Sequence, residues 1–270
     1  MASSIDIKYF NPKAMKDGSV ILVIGRRGTG KSTLIADLLS YKRDIKRGVC
    51  VSATEQQNGF YKTHVPPCFV FNEYEDVILE SLFDMQGKVK DLTGTTEPAF
   101  CILDDVLYDR AFVKSKQARK LFMNGRHDKI FCIVACQYIT DLPPSLRSQI
   151  DYVIALRDPI RANRERLYNL FAGQFPTFDM FDHVFQACTA GHEAMVLDQN
   201  SLSYSLGDSV YFYLATPNLQ YRIGAEEYWR FSGREADRLR SSGSSSSKHK
   251  EEEPRQSGGI QVRKRYPKKS

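Results

Sequence analysis

An eight-residue segment near the start of the chain has the residue types and spacing of a phosphate-binding loop. Residues 25–32 read Gly-Arg-Arg-Gly-Thr-Gly-Lys-Ser and match the pattern G-x-x-x-x-G-K-[ST] in full. The glycines allow successive backbone N–H groups to turn inward around an anion at the start of a helix. In such a loop Lys31 reaches the β- and γ-phosphates and the Ser32 hydroxyl ligates Mg²⁺. The predicted nucleotide-binding residues are Gly25, Arg26, Arg27, Gly28, Thr29, Gly30, Lys31, Ser32 and Thr33.

The sequence on either side of this loop favours a nucleotide site over an ordinary glycine-rich turn. The apolar, β-branched run 20–24 predicts a buried parallel strand that ends at the loop. Apolar residues then recur at positions 34, 35, 38 and 39, which is the spacing of one helix face. A strand, a loop and a helix in this order form the context in which a phosphate-binding loop works.

Two adjacent acids predict the second part of the nucleotide site. Asp104 and Asp105 follow the apolar run 100–103, which places both carboxylates at the end of a buried strand. In P-loop NTPases an aspartate at this position holds Mg²⁺ together with the hydroxyl of the loop. We assign this role to Asp104 and the polarisation of the attacking water to Asp105. An apolar run that ends in aspartate also occurs at ordinary strand ends, and the loop upstream favours the catalytic interpretation.

An amide side chain ends the next long apolar run. Gln137 follows residues 130–136, at the level where ligands bind in an open α/β sheet. A glutamine there is suited to sensing the γ-phosphate or to orienting the attacking water, and a loop cap is the alternative interpretation.

Hydrolysis also requires positive charge on the transferring phosphoryl group, often from an arginine of a neighbouring subunit. The first candidate for this arginine finger is Arg126, in the segment Asn-Gly-Arg-His at 124–127. The other candidates are Arg119, Arg147 and the two loop residues Arg26 and Arg27.

Short apolar runs alternate with helical segments along most of the chain and predict the elements that position these residues. The predicted strands are 20–24, 48–53, 68–71, 99–103, 130–136, 152–156, 193–197 and 209–214, and residues 5–10 are expected to add an edge strand or cover the sheet. Beyond the helix after the loop, the predicted helices are 75–90, 115–124, 143–149, 160–172 and 177–187. This alternation is typical of an α/β fold with a mostly parallel central sheet flanked by helices.

The composition is that of a globular chain. Its 270 residues are 42% hydrophobic and 26% charged, which is sufficient for one large α/β domain or two small ones. No apolar stretch approaches the roughly 18 residues of a transmembrane helix. The chain start has no basic region followed by an apolar one, so secretion is not expected. The six cysteines are scattered without a C-x-x-C pair, which fits a reducing compartment and predicts neither zinc nor disulfides.

The excess positive charge lies in a segment of different composition at the end of the chain. The formal net charge is +6, and residues 233–270 contain 11 Lys and Arg against 5 Asp and Glu. This segment is rich in serine and has few apolar groups, so it predicts a disordered tail after a P-loop domain formed by residues 1–232. Its charge is suited to salt-sensitive attraction to DNA, and a solubilising tail is the equal alternative.

The order of these motifs resembles the poxvirus-type genome-packaging ATPases of large DNA viruses, which belong to the FtsK–HerA group of P-loop motors. The segments that carry the resemblance are 25–33, 102–105, 122–127, 136–138, 142–147 and 150–153. The phosphate-binding loop alone does not distinguish families, whereas Asn-Gly-Arg-His at 124–127 and Gln-Tyr at 137–138 do. The resemblance spans residues 19–158, whereas residues 159–232 carry little that matches and the tail carries nothing.

The resemblance implies a RecA-like sheet core, hydrolysis of ATP with Mg²⁺, a homo-oligomeric ring and the pumping of double-stranded DNA into a capsid. By motif, Lys31 and Ser32 take the Walker A roles, Asp104 and Asp105 the Walker B roles, and Gln137 the sensor role. The further partners it implies are capsid or inner-membrane virion proteins. The place of action would be the host cytoplasm at the site of virus assembly, or the virion.

One residue departs from the pattern of the related motors, and two other functions remain open. Asp105 stands where many of those motors carry glutamate, and its side chain is shorter by one methylene. A nucleoside or nucleotide kinase shares the strand, loop and helix, although no arginine-rich lid segment follows the core. A nucleotide-gated scaffold that does not hydrolyse ATP is the third possibility.

Overall fold

Nine strands form one sheet in the part of the chain that the computed structural model describes, namely residues 5–139, 142–203 and 205–243. The strands are β1 (Lys8–Tyr9), β2 (Val20–Ile24), β3 (Gly48–Ser52), β4 (Val70–Phe71), β5 (Ala99–Asp104), β6 (Ile130–Cys136), β7 (Tyr152–Leu156), β8 (Ala194–Asp198) and β9 (Val210–Tyr213). Their order across the sheet is β1-β9-β8-β7-β2-β6-β5-β3-β4. Neighbouring strands are parallel, except that β8 is antiparallel to both β7 and β9. The predicted α/β fold with a mostly parallel central sheet is confirmed.

Helices connect most of these strands. They are α1 (Lys31–Ser40), α2 (Glu55–Asn58), α3 (Asp76–Thr93), α4 (Arg110–Lys114), α5 (Lys116–Asn124), α6 (Pro144–Arg147), α7 (Arg161–Phe171), α8 (Phe178–Cys188) and α9 (Glu226–Gly243). Side-chain caps set several of their starts: Ser115 accepts from two backbone N–H groups of α5, and Thr177 accepts from Met180 N at the start of α8.

The central strands are buried on both faces, which is why they read as continuous apolar runs rather than alternating patterns. Every residue of β2 and of β6 is buried. On β2, Val20 and Leu22 pack in the cluster that includes residues of α3. Ile21 and Val23 point to the other face and pack with residues of α1. The sheet thus has a hydrophobic layer on each side.

The structure departs from the predicted elements in several connections. The predicted strand 68–71 is reduced to the two residues of β4, because Pro67–Phe69 forms a 3₁₀ turn that begins with a proline and is preceded by another. The predicted helix 143–149 is the shorter α6. The short helices α2 and α4 have four and five residues, too few to leave a clear periodic pattern in the sequence.

The last helix passes the predicted end of the globular domain. One compact unit comprises Met1–Gly233, and α9 runs from Glu226 to Gly243. Residues 233–243 of the predicted tail are therefore helical, and residues 244–270 lie outside the described residues. The helix is amphipathic and has two acids in its first turn, a pattern that the low-complexity composition of the following residues masked. Within the described residues, no helix is both long and apolar enough to cross a membrane.

Candidate nucleotide site

The end of β2 leads directly into the predicted phosphate-binding loop. Residues 25–30 turn the chain from β2 into the ten-residue helix α1, which begins at Lys31. Gly28 and Gly30 have φ angles of +79° and +97°, which a residue with a side chain adopts only under strain. The Gly25 N–H donates to Cys136 O at 3.1 Å and so fixes the start of the loop to the end of β6. The loop thus lies at the N-terminus of a helix, where an anion is stabilised.

The polar side chains of the loop differ in their surroundings. Arg26 and Arg27 are exposed, whereas Ser32 and Thr33 are half-buried at the start of α1. Thr29 Oγ1 donates to Arg26 O at 2.7 Å, so this hydroxyl stabilises the turn of the loop itself. Both loop arginines remain free to approach a bound phosphate from the solvent side.

The parallel register brings the predicted site residues to one edge of the sheet. Ile24 at the end of β2 lies level with Cys136 at the end of β6, and Asp104 at the end of β5 lies level with Ala135. The phosphate-binding loop, the acid pair and Gln137 therefore all follow the carboxyl ends of three adjacent strands. This edge is where open α/β sheets bind their ligands.

Lys31, Asp105 and Gln137 form a connected group at this edge. Lys31 Nζ lies 3.8 Å from Asp105 Oδ2, and only 8% of the Lys31 side chain is exposed. Gln137 Nε2 donates to the same Asp105 oxygen at 3.2 Å. Asp105 has a φ of +55°, a left-handed backbone conformation that is uncommon for residues other than glycine, asparagine and aspartate. The Asp105 carboxylate thus lies beside the loop lysine, Lys31, and contacts the Gln137 amide.

Asp104 is the buried member of the acid pair. Its Oδ2 accepts a hydrogen bond from the Tyr61 hydroxyl at 2.8 Å, and its Oδ1 has no hydrogen-bond partner among the described residues. Burial raises the pKa of Asp104 above its ordinary value, and the neighbouring Asp105 carboxylate adds to this shift. The Tyr61 hydrogen bond and the Lys31 ammonium group act against it.

Tyr61 is a residue of the candidate site that the sequence motifs do not predict. Its side chain is fully buried and donates to Asp104, and the Ser32 side chain acts to lower its pKa. Burial and then the Asp104 charge raise the pKa of Tyr61 well above its usual range, so the phenol stays protonated and donates. The buried Glu55 accepts from the backbone N–H groups of Tyr61 and Lys62 at 2.9 and 3.0 Å. Glu55 thereby holds the turn that carries the tyrosine.

The residues around Asp104 fit a magnesium ion. Mg²⁺ takes oxygen ligands and is usually bound through one or two carboxylates together with substrate phosphates. Asp104 offers a carboxylate oxygen that has no hydrogen-bond partner among the described residues, and Ser32 lies half-buried at the start of α1. Among the described residues, no group of three or more His, Cys, Asp or Glu is placed to hold a metal ion. The Asp104 carboxylate is thus the kind of single oxygen ligand through which proteins usually bind Mg²⁺.

The structure does not bring Arg126 to this site. Arg126 lies before β6, at the amino-terminal edge of the sheet, where its Nη2 donates to Asp151 Oδ1 at 2.7 Å. Asp151 Oδ2 in turn accepts from the Val20 N–H at 2.8 Å, at the first residue of β2. The length of β2 places this edge about 15 to 20 Å from the loop. Arg126 therefore cannot reach the nucleotide of its own chain. Arg126 lies four residues before the predicted strand 130–136, so the sequence already indicated that it lies at the amino-terminal edge of the sheet.

The remaining arginine candidates are distributed over the surface. Arg119 is exposed on α5, and Arg147 Nη1 donates to Leu142 O at 3.0 Å within its own turn. In the part of the chain that the structure describes, neither arginine contacts Lys31, Asp105 or Gln137. The arginines of the loop are thus the candidates that lie beside the site of the same chain.

Two viral proteins are similar to most of the chain. The chain is 34% identical to the uncharacterized protein 075L of Invertebrate iridescent virus 6 over 218 residues, which are 79% of this chain and 84% of 075L. It is 29% identical to the uncharacterized protein L437 of Acanthamoeba polyphaga mimivirus over 235 residues, which are 84% of this chain and 82% of L437. No model of a known protein family matches the chain.

The fold is also that of a solved viral NTPase. The genome packaging NTPase B204 from Sulfolobus turreted icosahedral virus 2, solved in complex with AMPPCP, superposes with a TM-score of 0.52 at 15% sequence identity. The match covers 75% of this chain and 100% of B204. The two proteins thus share a P-loop α/β fold, and B204 holds a nucleotide analogue.

Proposed function

The chain belongs to the family of large-DNA-virus proteins that includes 075L, and we propose that it is an ATP-hydrolysing motor that translocates double-stranded DNA into a capsid. The observation that carries the hydrolase part is the group formed by Lys31, Asp105 and Gln137 beside the phosphate-binding loop. A carboxylate fixed beside the loop lysine is the kind of group that can polarise an attacking water. The fold shared with a genome packaging NTPase supports the motor part.

The proposed reaction is attack of water on the γ-phosphorus of ATP, with cleavage of its bond to the oxygen that bridges to the β-phosphate. The backbone N–H groups of the loop and the Lys31 ammonium group hold the phosphates. A γ-phosphate held by Lys31 lies close to the Asp105 carboxylate, because the two side chains are 3.8 Å apart. Asp105 orients the attacking water and accepts its proton, and the Gln137 amide fixes the position of that carboxylate.

Ser32 and Asp104 are the residues proposed to hold Mg²⁺. When bound, the ion neutralises negative charge on the β- and γ-phosphate oxygens. The Tyr61 hydroxyl keeps the Asp104 carboxylate oriented by donating to one of its oxygens. The other oxygen has no partner in the part of the chain that the structure describes, and we propose it as a ligand.

The proposed partners follow from the same premise. Double-stranded DNA is the polymer that the motor moves, and a homo-oligomeric ring of this chain surrounds it. Capsid or inner-membrane virion proteins form the docking point, either at the assembly site in the host cytoplasm or in the virion. Exposed Lys and Arg side chains of such a ring would contact DNA phosphates in a salt-sensitive way.

The test is a phosphate-release assay of the full chain with and without duplex DNA, with molecular mass measured in parallel. The wild type should hydrolyse ATP faster with DNA, and high salt should remove the stimulation. Lys31→Ala should abolish turnover because the ammonium group that holds the phosphates is lost. Lys13→Ala, at an exposed lysine in a separate turn, is the matched control and should retain activity.

Different outcomes would favour the other functions. A strictly monomeric protein without DNA stimulation at low salt would contradict the translocase. Transfer of phosphate to a nucleoside rather than to water would indicate a kinase. Binding of ATP with negligible turnover that Asp105→Ala leaves unchanged would indicate a nucleotide-gated scaffold.

A further inference from the structure

The two helices between the acid pair and Gln137 carry a concentration of positive charge. Residues 110–127 contain six Lys and Arg and no Asp or Glu. The excess charge of residues 233–270 accounts for the whole net charge of +6, so the remainder of the chain is neutral. Both α4 and α5 lie within residues 110–127. These helices are therefore a strongly basic element of an otherwise neutral domain.

The two helices present their cations to solvent. On α5, Lys116, Arg119 and Lys120 are exposed and have the i, i+3, i+4 spacing of one helix face. The opposite face of α5 is buried in the core. On α4, Arg110 and Lys114 are also exposed and lie four residues apart. These five side chains are called the basic face below.

The charges of the basic face are not taken up by ion pairs. In the part of the chain that the structure describes, none of the five side chains lies within 4 Å of a carboxylate oxygen. Lys120 Nζ lies 4.0 Å from the centre of the Phe83 ring, a contact that orients this side chain and keeps its charge. Of the acids beside the face, Asp109 caps α4, and Glu80 accepts from the Gln117 amide. The five cations thus remain available to an anionic partner.

We infer that the basic face binds the phosphate backbone of double-stranded DNA without reading its sequence. The inference rests on the proposed function, which supplies DNA as the polymer, and it names the surface that holds the polymer. Charge complementarity selects this partner, because a duplex carries one negative charge about every 1.7 Å along its axis. Lys116 and Lys120 are about 6 Å apart along α5, so one duplex can contact both. Contacts to phosphate carry no sequence information.

The basic face is joined to the nucleotide site at both of its ends. Asp105 follows β5 and precedes α4, and Gln137 follows β6, the strand after α5. The Gln137 amide also donates to Asp105 at 3.2 Å. A displacement of either side chain when the γ-phosphate is cleaved therefore acts on the segment that holds the DNA. This connection places the basic face where DNA binding can be coupled to hydrolysis.

Fluorescence anisotropy of a labelled DNA duplex with the full chain tests the assignment, because it measures binding without hydrolysis. Lys116→Gln combined with Lys120→Gln removes two charges from α5 and should weaken binding. Each lost phosphate contact lowers the slope of log K against log salt concentration by about 0.9. Between about 50 and 200 mM salt, the double variant should therefore lose roughly tenfold less affinity than the wild type loses. Two duplexes of unrelated sequence should bind alike.

A control pair and a second pair complete the set of variants. Lys13→Gln combined with Lys16→Gln removes two exposed lysines that lie before β2, and it should keep the affinity and the salt slope of the wild type. Arg110→Gln combined with Lys114→Gln removes two charges from α4 and should lower the slope as the α5 pair does. This second pair keeps the test decisive if the loss of the contact between Lys120 and Phe83 disturbs α5.

Two results would overturn the inference. Wild-type affinity and salt slope in both helix pairs would place the DNA contacts on other cations of the chain. The same assay with labelled poly-glutamate tests an acidic protein as the occupant. A wild type that binds poly-glutamate but no duplex, and loses this binding in the helix pairs, would assign the basic face to such a protein.

ATP hydrolysis, measured on the same variants, separates this inference from the proposed motor function. Both helix pairs should keep the basal rate without DNA and lose the stimulation by DNA. A chain that binds DNA through the basic face but does not hydrolyse ATP would contradict the motor and leave the face standing. DNA-stimulated hydrolysis that both helix pairs retain would leave the motor standing and overturn the role of the face.

Discussion

The buried Tyr61 hydroxyl supports one of the two residues proposed to bind the metal ion. It donates to Asp104 at 2.8 Å. A buried carboxylate is costly unless hydrogen bonds stabilise its charge, and within the described ranges only one of the two Asp104 oxygens has a hydrogen-bond partner. Tyr61 is therefore a positioning residue that keeps Asp104 ionised for its role.

Tyr61→Phe should make hydrolysis more sensitive to acid. The Tyr61 hydrogen bond lowers the pKa of Asp104, against burial that raises it, so the variant has a higher Asp104 pKa than the wild type. As pH falls, the variant loses the charged carboxylate first, and the acid limb of its profile of kcat/KM against pH moves to higher pH. At low pH the activity should fall by about tenfold, since a hydrogen bond to a charged group contributes about 1.5–3 kcal/mol.

Tyr74→Phe is the matched control for this change. The Tyr74 hydroxyl also donates to an aspartate, Asp76 Oδ1 at 2.7 Å, but at the start of α3 and not in the site. Its pH profile should match that of the wild type. An unchanged acid limb in Tyr61→Phe, with a thermal midpoint close to that of the wild type, would contradict the positioning role.

Asp105→Asn should abolish most of the turnover while nucleotide binding is retained. Asparagine tolerates the left-handed backbone at φ +55°, so the substitution removes the charge without straining the chain. Loss of a general base lowers kcat by about 10²–10⁴-fold. Steady-state phosphate release at saturating ATP gives kcat, and calorimetry with AMPPCP gives binding. A variant with near wild-type kcat would assign the activation of water to another group.

Three side chains of the candidate site, those of Lys31, Asp105 and Gln137, could be predicted from the sequence by a simple rule. The fourth, Tyr61, could not be predicted, for a physical reason. Lys31, Asp105 and Gln137 each follow a buried strand or its loop directly, and parallel strands end at the same edge. Tyr61 reaches Asp104 across 43 positions of sequence, through a loop whose path depends on the packing of Glu55 against its backbone. A non-local contact of this kind leaves no periodic pattern in the chain.

Among the elements, a side-chain contact between β9 and α1 fixes α1, the helix that begins at the phosphate-binding loop. The Tyr213 hydroxyl on β9 donates to Asp37 on α1, and both side chains are 1% exposed. Burial raises the pKa of Asp37, and the Tyr213 hydrogen bond acts against this shift. The closing strands of the sheet thus hold the helix that presents the phosphate-binding loop.

Tyr213→Phe should lower the free energy of unfolding by about 1.5–3 kcal/mol, because it leaves a buried carboxylate with one partner fewer. Urea denaturation followed by circular dichroism measures the change. Tyr211→Phe on the same strand is the control, since its hydroxyl donates to Asp208 O at an exposed site, and it should cost less than about 1 kcal/mol. Equal losses of the free energy of unfolding in the two variants would contradict a specific stabilisation by the hydrogen bond between Tyr213 and Asp37.

The central strands could be predicted because two-sided burial produces unbroken apolar runs, as in β2, β6 and β7. The antiparallel direction of β8 could not, because an apolar run reads the same in both directions. The continuation of α9 past residue 232 was also not predicted, because the serine-rich composition of the following residues masks its amphipathic pattern. Direction and boundary depend on packing between distant parts of the chain.

In the whole molecule, the nucleotide site and Arg126 lie at opposite edges of the sheet. Arg126 bonds Asp151 at the amino-terminal edge, and its side chain is nevertheless 61% exposed. A finger role for Arg126 stays a prediction and requires that this edge of one chain meets the carboxyl-terminal edge of its neighbour. The role is then possible only between chains.

Mixing inactive variants tests this arrangement. Lys31→Ala supplies an intact finger and Arg126→Ala supplies an intact loop, so a mixed oligomer contains some complete interfaces and should recover part of the ATPase activity. Lys31→Ala mixed with Asp105→Asn is the control. Each variant lacks one residue of its own nucleotide site, and the neighbouring chain cannot supply that residue, so the mixture contains no complete site. Full activity of Arg126→Ala alone, or equal recovery in both mixtures, would exclude Arg126 as the finger.

The two strands at the edges of the sheet have a consequence for how copies of this chain associate. Both β1 and β4 are only two residues long, and they are the outermost strands on either side of the described sheet. So short an edge offers few unpaired backbone groups to another strand, and this protects a sheet from edge-to-edge aggregation. Copies crowded together during assembly are therefore expected to meet through side-chain surfaces, and to remain separable, rather than to fuse into a continuous sheet.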